Sequence, residues 1–473
     1  EEADGMKKMK LWVAGYLAIV LAALGVAGGL VYKVDPFFHY HAPDTETYYY
    51  RLNNERSQNN GISRNFDYDA LITGTSMTEN FTTTEMDALF GTHSIKVCYS
   101  GGTYREINDN LKIALASQPK LKTVVRCLDM EKFTQGKDEM RTDLGAYPTY
   151  LYDDNPFNDL KYVLNRNVIM ERVLPMIAET LHADFAPGMD SFDEYTRWEN
   201  RFTYGREAVF KDNRNRAQVS PDTHLSDEER ETIRENIEAN VTDLARQYPD
   251  VTFYYFLSPY SAAWWRLTVE RGQLLRQIEE EQYVIELVLE CPNIRLHSFN
   301  NRTDITTDLN NYKDFTHYGG WVNSLILRWM RDGEYLLTKE NYKDYLEEEY
   351  AFYRDFDYDL LNQQPDYAFD RYAAALLNQE ATGAVPEQVT AAPEMALSLK
   401  GHRYLAFEMR RTGEEAFEIA AQDERGKTAK IARKAEKVSG EWQMYVLDMR
   451  ALQGEVQVKL TTDGYEFKNM TLY

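Results

Sequence analysis

Three short stretches of the chain hold residue types that could act together on an acyl group. The first is DALITGTSMTENF, residues 69–81, where an apolar run stops at Thr73-Gly74-Thr75-Ser76. A buried strand ending in Gly-Thr-Ser would deliver a serine hydroxyl to the rim of a sheet, where nucleophiles sit. The second is YKDFTHYGGWVNSLILRWM, residues 312–330, in which Asp314 and His317 stand three apart. One turn at that spacing brings a carboxylate against an imidazole, fixing its tautomer and stabilising the imidazolium that forms when the ring accepts a proton. The third is Cys98-Tyr99-Ser100-Gly101-Gly102-Thr103, whose paired glycines let backbone N–H groups approach an oxyanion closely. Each motif also has a plain structural reading: an ordinary turn, an acidic helix start beside an unrelated histidine, a tight strand-to-helix connection.

The elements around these stretches decide whether they meet. Residues 69–73, 94–98, 123–128, 251–257 and 293–297 read as five buried strands, separated by helical patterns. The clearest helix follows Ser226, where Glu229 completes a capping box and Ile233, Ile237, Val241 and Leu244 fall on one face. Trp321, Leu325, Ile326 and Trp329 give a second such face just after His317. Strand, helix, strand in succession predicts an α/β domain with a flavodoxin-like five-stranded parallel sheet. All three motifs then fall at its carboxyl edge. A long insertion, about residues 133–222, is either a cover over that edge or an extra packing subdomain. Residues 34–69 are polar and tyrosine-rich and read as an irregular wrapping segment, and 334–378 as acidic helices. The composition of 379–394 reads as a linker, and 395–473 as a small all-β sandwich.

Bulk composition excludes more than it identifies. A net charge of −23 over 473 residues argues against a nucleic-acid partner, which would need a basic footprint. Three widely spaced cysteines, Cys98, Cys127 and Cys291, give neither a disulfide framework nor a metal signature and read as buried thiols. His39 and His41 have no further ligand nearby, so no metal and no cofactor is expected. Leu11–Tyr32 carries no charge and at ~1.5 Å per residue reaches about 33 Å, enough for a bilayer core. Lys7, Lys8 and Lys10 before it favour residues 1–10 in the cytoplasm, a single-pass anchor at 11–32, and the bulk of the chain (an α/β domain over 33–378, then the linker and sandwich) outside. A cleaved signal peptide is the rival reading.

Taken together, Gly74-Thr75-Ser76, Gly101 or Gly102 after the second strand, and Asp314-Phe315-Thr316-His317 before the last helix resemble the blocks of the SGNH (GDSL-like) hydrolase superfamily. With the apolar N-terminal segment, the chain is most similar to its extracytoplasmic branch, which includes the lipoteichoic-acid D-alanylation protein and polysaccharide O-acetylation proteins. That resemblance implies Ser76 as nucleophile, His317 as base and Asp314 as its partner. The N–H groups of Ser76 and Gly101 or Gly102 would hold the oxyanion. It implies a serine esterase or O-acyltransferase acting on a cell-envelope polysaccharide or teichoic-acid-like glycopolymer, with a membrane-bound O-acyltransferase as a partner. One block departs. The third strand leads to Asp129 where the family supplies an oxyanion Asn, so either Asn80 or Asn108 substitutes, or the chain is a catalytically inactive, glycan-binding accessory member. Tyr260 and Trp264, after the fourth strand, are candidates to line a sugar cleft, with Asn80 beside them; aromatic core packing is the alternative. Asn80, Asn240, Asn301 and Asn469 head Asn-x-Thr triplets, relevant only where a secretory pathway glycosylates. The last strands resemble carbohydrate-binding jelly rolls.

Overall fold

The computed structural model describes residues 2–199, 202–211, 220–364, 387–433 and 442–473. Five apolar runs, β1 (Ala70–Gly74), β2 (Ser94–Cys98), β3 (Thr123–Cys127), β4 (Thr252–Leu257) and β5 (Ile294–Ser298), pair as a parallel sheet in the order β2-β1-β3-β4-β5. Every residue of β1 and β2 is buried; β1 reads as a nearly continuous apolar run, whereas β2 sets the buried Ser94 and Lys96 between Ile95, Val97 and Cys98. The order reverses between β1 and β3, and the crevice at such a reversal is where an open α/β sheet offers its site.

Helices cover both faces. The first, α1 (Glu2–Val34), is long and apolar enough to cross a membrane, and side chains such as Leu11, Trp12 and Ile19 are exposed along it. Its last turn is not loose: Val31 and Val34 are fully buried, and Gly28 lies against Val163. Asp35 follows at once, its carboxylate accepting the N–H groups of His39, Tyr40 and His41 and the Tyr162 hydroxyl at 2.7–3.1 Å. His39 turns to Asp159, so these histidines serve the junction.

The tyrosine-rich stretch is not wholly irregular. It contains α2 (Glu55–Asn65), a buried helix of polar residues packed on α4 (Tyr104–Ser117). Between them α3 (Thr83–Phe90) links β1 to β2. Amides satisfied by backbone make α2 possible: Asn59 Nδ2 donates to Cys98 O at 2.7 Å, and Gln58 spans Pro36 and Arg51 carbonyls. Farther on come α5 (Asp227–Ile237), with the Ser226–Glu229 capping box in place, then α6 (Ala262–Glu270) and α7 (Leu274–Val288). Helices α8 (Gly320–Asp332) and α9 (Tyr342–Asp355) close the domain. The three cysteines are buried and free.

The C-terminal part packs two antiparallel sheets around its own core. They are built from β6 (Glu394–Ser398), β7 (Tyr404–Arg411), β8 (Phe417–Asp423), β9 (Thr428–Arg433), β10 (Trp442–Asp448), β11 (Glu455–Leu460) and β12 (Tyr465–Leu472), in the orders β10-β7-β12 and β9-β8-β11-β6. The segment read as a linker over 379–394 needs correction. Glu387 and Gln388 pair with the end of β12 as an edge strand and so belong to the sandwich, while 379–386 lie outside the described residues.

One buried pair makes stability depend on pH. Glu281 on α7 and Glu349 on α9 are both fully buried, and Asn300 Nδ2 donates to each at 3.1 Å. Burial pushes Glu281 up to about 8 and, with the Glu281 charge adding to it, holds Glu349 well above the ordinary carboxyl range. Folded values above the unfolded value near ~4.3 mean that this contribution is whole below about pH 4 and drains as pH rises toward 8. Glu349→Gln removes one of the two protons to be lost. Thermal scans are expected to show a melting point raised by about 2–4 °C at pH 8 and little changed at pH 4.

Candidate active site

The turn after β1 exposes Ser76. Gly74 takes φ +143°, and a Cβ there would stand 2.8 Å from the Thr78 side chain, so only glycine lets the chain bend this sharply. Thr78 N–H donates to Thr75 O at 3.0 Å and Glu79 N–H to Ser76 O at 3.4 Å, closing the turn. On the far side of the domain sequence, the loop before α8 carries Asp314 and His317. Asp314 Oδ1 accepts the His317 N–H at 2.8 Å, and both carboxylate oxygens lie 2.9 Å from His317 Nδ1.

These two loops meet. Ser76 Oγ lies 2.7 Å from His317 Nε2. The ionised Asp314 can only accept, so Nδ1 carries the ring proton and Nε2 is left to accept from the serine hydroxyl. Burial raises the Asp314 carboxyl, but the hydrogen bond and charge of His317, and the charge of Lys313, outweigh it and hold it well below the usual range. Lys313 Nζ sits 3.2 Å from Asp314 and over the Trp198 and Phe202 rings, at 4.6 and 4.2 Å.

A cavity of about 610 Å³ opens on Ser76 and His317, and its walls include Glu55, Glu79, Gly101, Arg141 and Trp198. Arg141, Glu194, Thr196, Trp198 and Phe202 come from the insertion, which therefore forms part of the wall over the sheet edge. Asn80 Oδ1 accepts the N–H groups of Trp198 and Glu199 at 3.2 Å, and the Trp198 indole in turn donates to Ser76 O at 3.1 Å. Glu199 accepts the Gly320 N–H at the start of α8 and pairs with Arg197, which reaches Asp448 of the sandwich. Arg450 joins Asp448 to Glu85 on α3.

Comparison with known proteins adds little to this geometry. No family model and no curated protein matches the chain. It is similar to a solved structure described, as a provisional assignment, as a platelet activating factor from Streptococcus pneumonia. The identity is 12%, over 62% of this chain and 90% of that one, with a TM-score of 0.29. A likeness so slight decides nothing about the site.

Several expectations are corrected by the contacts. Gly102 cannot hold an oxyanion, because its N–H donates to Tyr99 O at 2.7 Å to close the β2–α4 turn. Gly101, at φ +57°, lines the cavity, and no hydrogen bond within the described residues engages its N–H or that of Ser76. Asn80 is buried and spent on Trp198, Glu199 and the Tyr318 carbonyl, so it is neither a ready oxyanion donor nor a sugar contact. Asn108 donates to Ala239 O and Asn240 beneath the sheet edge, away from the cavity. Tyr260 is 1% exposed and donates to Asp129, and Trp264 packs on its ring and donates to Glu131; neither lines the cavity at Ser76. Asp129 itself accepts from Tyr260 and Thr75 hydroxyls. Asn240 is also buried, so neither it nor Asn80 presents an amide to a glycosylating enzyme. Trp198, Lys313 and Arg141 went unread because nothing in their local pattern marks a wall residue inside a long insertion or a cation beside an acid.

Proposed function

We propose that the chain is a serine esterase or O-acyltransferase of the SGNH kind, membrane-anchored and extracytoplasmic, that acts on a cell-envelope polysaccharide or teichoic-acid-like glycopolymer. The observation that carries this reading is the unbroken contact from Ser76 through His317 to Asp314. As Ser76 Oγ attacks an ester or thioester carbonyl, Nε2 takes its proton and Asp314 stabilises the imidazolium. The N–H groups of Ser76 and Gly101, which no hydrogen bond engages among the described residues, would hold the oxyanion. Collapse expels the leaving alkoxide or thiolate with the proton from His317 and leaves an acyl-serine. Water as acceptor completes an esterase; a sugar or polyol hydroxyl completes an acyltransferase, fed by a membrane-bound O-acyltransferase. The apolar α1 supports the membrane assignment.

The test is p-nitrophenyl acetate turnover by the full chain in detergent, with and without glycerol, alongside fluorophosphonate labelling. A pre-steady-state burst, label on Ser76 and acetylglycerol in the glycerol arm are expected; label elsewhere, or turnover untouched by Ser76→Ala, overturns the reading. A second reading, an inactive glycan-binding accessory, draws on one observation: with Gly102 spent and Asp129 in the third block, few oxyanion donors are left. It predicts no burst.

A further inference from the structure

An oxyanion is stabilised best by several aimed donors, and removing one costs about 10²–10³ in kcat. The end of β3 offers none, but a side chain three residues beyond the nucleophile does. Glu79 is 3% exposed, lines the cavity with Ser76, Gly101 and His317, and has an Oε1 that is buried without a hydrogen-bond partner among the described residues. Its backbone is held on both sides, its N–H by Ser76 O at 3.4 Å and its carbonyl by Lys96 Nζ at 2.6 Å. Its carboxyl lies beside the Ser100 hydroxyl, one residue from Gly101. A buried polar atom left unpaired is destabilising, and a hydrogen bond from this carboxyl to a bound reacting oxygen would relieve it.

We infer that Glu79 is a catalytic residue that, as a neutral carboxylic acid, donates a hydrogen bond to the oxyanion formed on attack by Ser76. The inference rests on the proposed acyl transfer and names the donor that reading lacks. The Ser76 Oγ–carbon bond forms, the carbonyl π pair moves onto oxygen, and the serine proton goes to His317. Glu79 shares its own proton with the oxyanion and keeps it; on collapse the pair returns and the leaving group takes the proton from His317.

Neutrality is built into the surroundings. Burial, then the Glu55 charge, push the Glu79 carboxyl up to about 8, against the pull of Lys96, Lys313 and the Ser100 hydroxyl. Cys98 on β2 and Tyr195 from the insertion also face it, and Arg141, Glu194 and His317 share its cavity. Near pH 7 the acid donates. Above about 8 it ionises and repels the oxyanion, so kcat falls on the alkaline side.

The experiment uses the full chain in detergent and compares wild type, Glu79→Gln, Glu79→Leu and Ser76→Ala in p-nitrophenyl acetate turnover from pH 6 to 10. Glu79→Gln, whose amide donates at every pH, is expected to keep kcat within several-fold at pH 7 and to lose the alkaline fall. Glu79→Leu is expected to lose about 10²–10³ in kcat with KM little changed. Wild-type kcat in Glu79→Leu, or an alkaline fall surviving in Glu79→Gln, overturns the inference; should the leucine variant not fold, the glutamine profile still decides. An infrared difference spectrum between pH 6 and 10 reads the proton directly, as a carboxylic C=O band absent from Glu79→Gln. No such band overturns the Glu79 assignment with Ser76 chemistry intact, whereas full activity in Ser76→Ala overturns the acyl-serine reading and the oxyanion role with it.

Discussion

Ser76→Ala is expected to lower kcat for ester hydrolysis by about 10⁴–10⁶, leaving a residue of activity that owes nothing to a covalent intermediate. The hydroxyl at 2.7 Å from Nε2 is the atom that forms the new bond, and no other hydroxyl in the described residues is shown against His317 Nε2. His317→Ala should fall as far, because without the base the serine keeps its proton. Asp314→Asn should cost about 10⁴: an amide can donate to Nδ1, which flips the ring to the tautomer whose Nε2 bears hydrogen and cannot accept from Ser76. The double Ser76→Ala/His317→Ala should be no worse than either single change, since the groups act as a unit. Because Asp314 is held well below the usual carboxylate range by His317 and Lys313, it stays ionised across the working range. The acid limb of the rate profile therefore does not belong to it. Stopped-flow release of p-nitrophenolate across pH 5–10 checks each point, and additive losses in the double variant would contradict a shared proton path.

Arg197→Met is expected to destabilise the protein by about 3–5 kcal/mol, the largest folding effect foreseen for a single substitution. The Arg197 side chain is 3% exposed, and Glu199 and Asp448 around it are 4% and 2% exposed. Burial raises the Asp448 carboxyl, but the charges of Arg197 and Arg450 outweigh it and hold it ionised well below the usual range. Taking away the arginine leaves carboxylates in a place water does not reach, which costs more than the lost contacts themselves. Glu199 also accepts the Gly320 N–H, three residues past His317, so the damage should reach kcat as well as the unfolding midpoint. Urea unfolding followed by tryptophan fluorescence measures the first and turnover the second. Asp448→Asn, which keeps an oxygen acceptor, should be milder in both. An unchanged midpoint in Arg197→Met would mean the network carries no weight.

The strands were legible in the sequence to within a residue or so, because full burial writes itself as an unbroken apolar run. That Ser76, Asp314 and His317 share one edge followed from the parallel strands, but β3 and β4 stand between β1 and β5, so strand order alone did not give their contact. Helix α2 was not legible. Its buried residues run from Gln58 to Ser63 with Ile62 the one large apolar side chain among them, and polarity hides burial when amides are paired with distant carbonyls. Lys96 on the edge strand β2 and Arg126 on the central β3 are fully buried for a similar reason: Lys96 donates to three carbonyls, and Arg126 to Asn240 O. Gly102 and Tyr260 looked like site residues from position; a local turn, Gly102 N–H to Tyr99 O, takes the first, and a contact across 131 residues, the Tyr260 hydroxyl on Asp129, takes the second.

The welded end of α1 has a mechanical meaning. A long slack tether would let a domain sweep a hemisphere and sample acceptors at many heights. Here Val31 and Val34 are sunk in the domain, and Asp35 clamps the next three backbone amides it meets and the Tyr162 hydroxyl. With α1 in a bilayer, the mouth above Ser76 is carried at one altitude and one tilt, like a tool on a rigid post. Whatever it acts on then has to be brought to it, and glycines inserted after Lys33, between the buried Val31 and Val34, would break the weld and give the domain the slack it lacks.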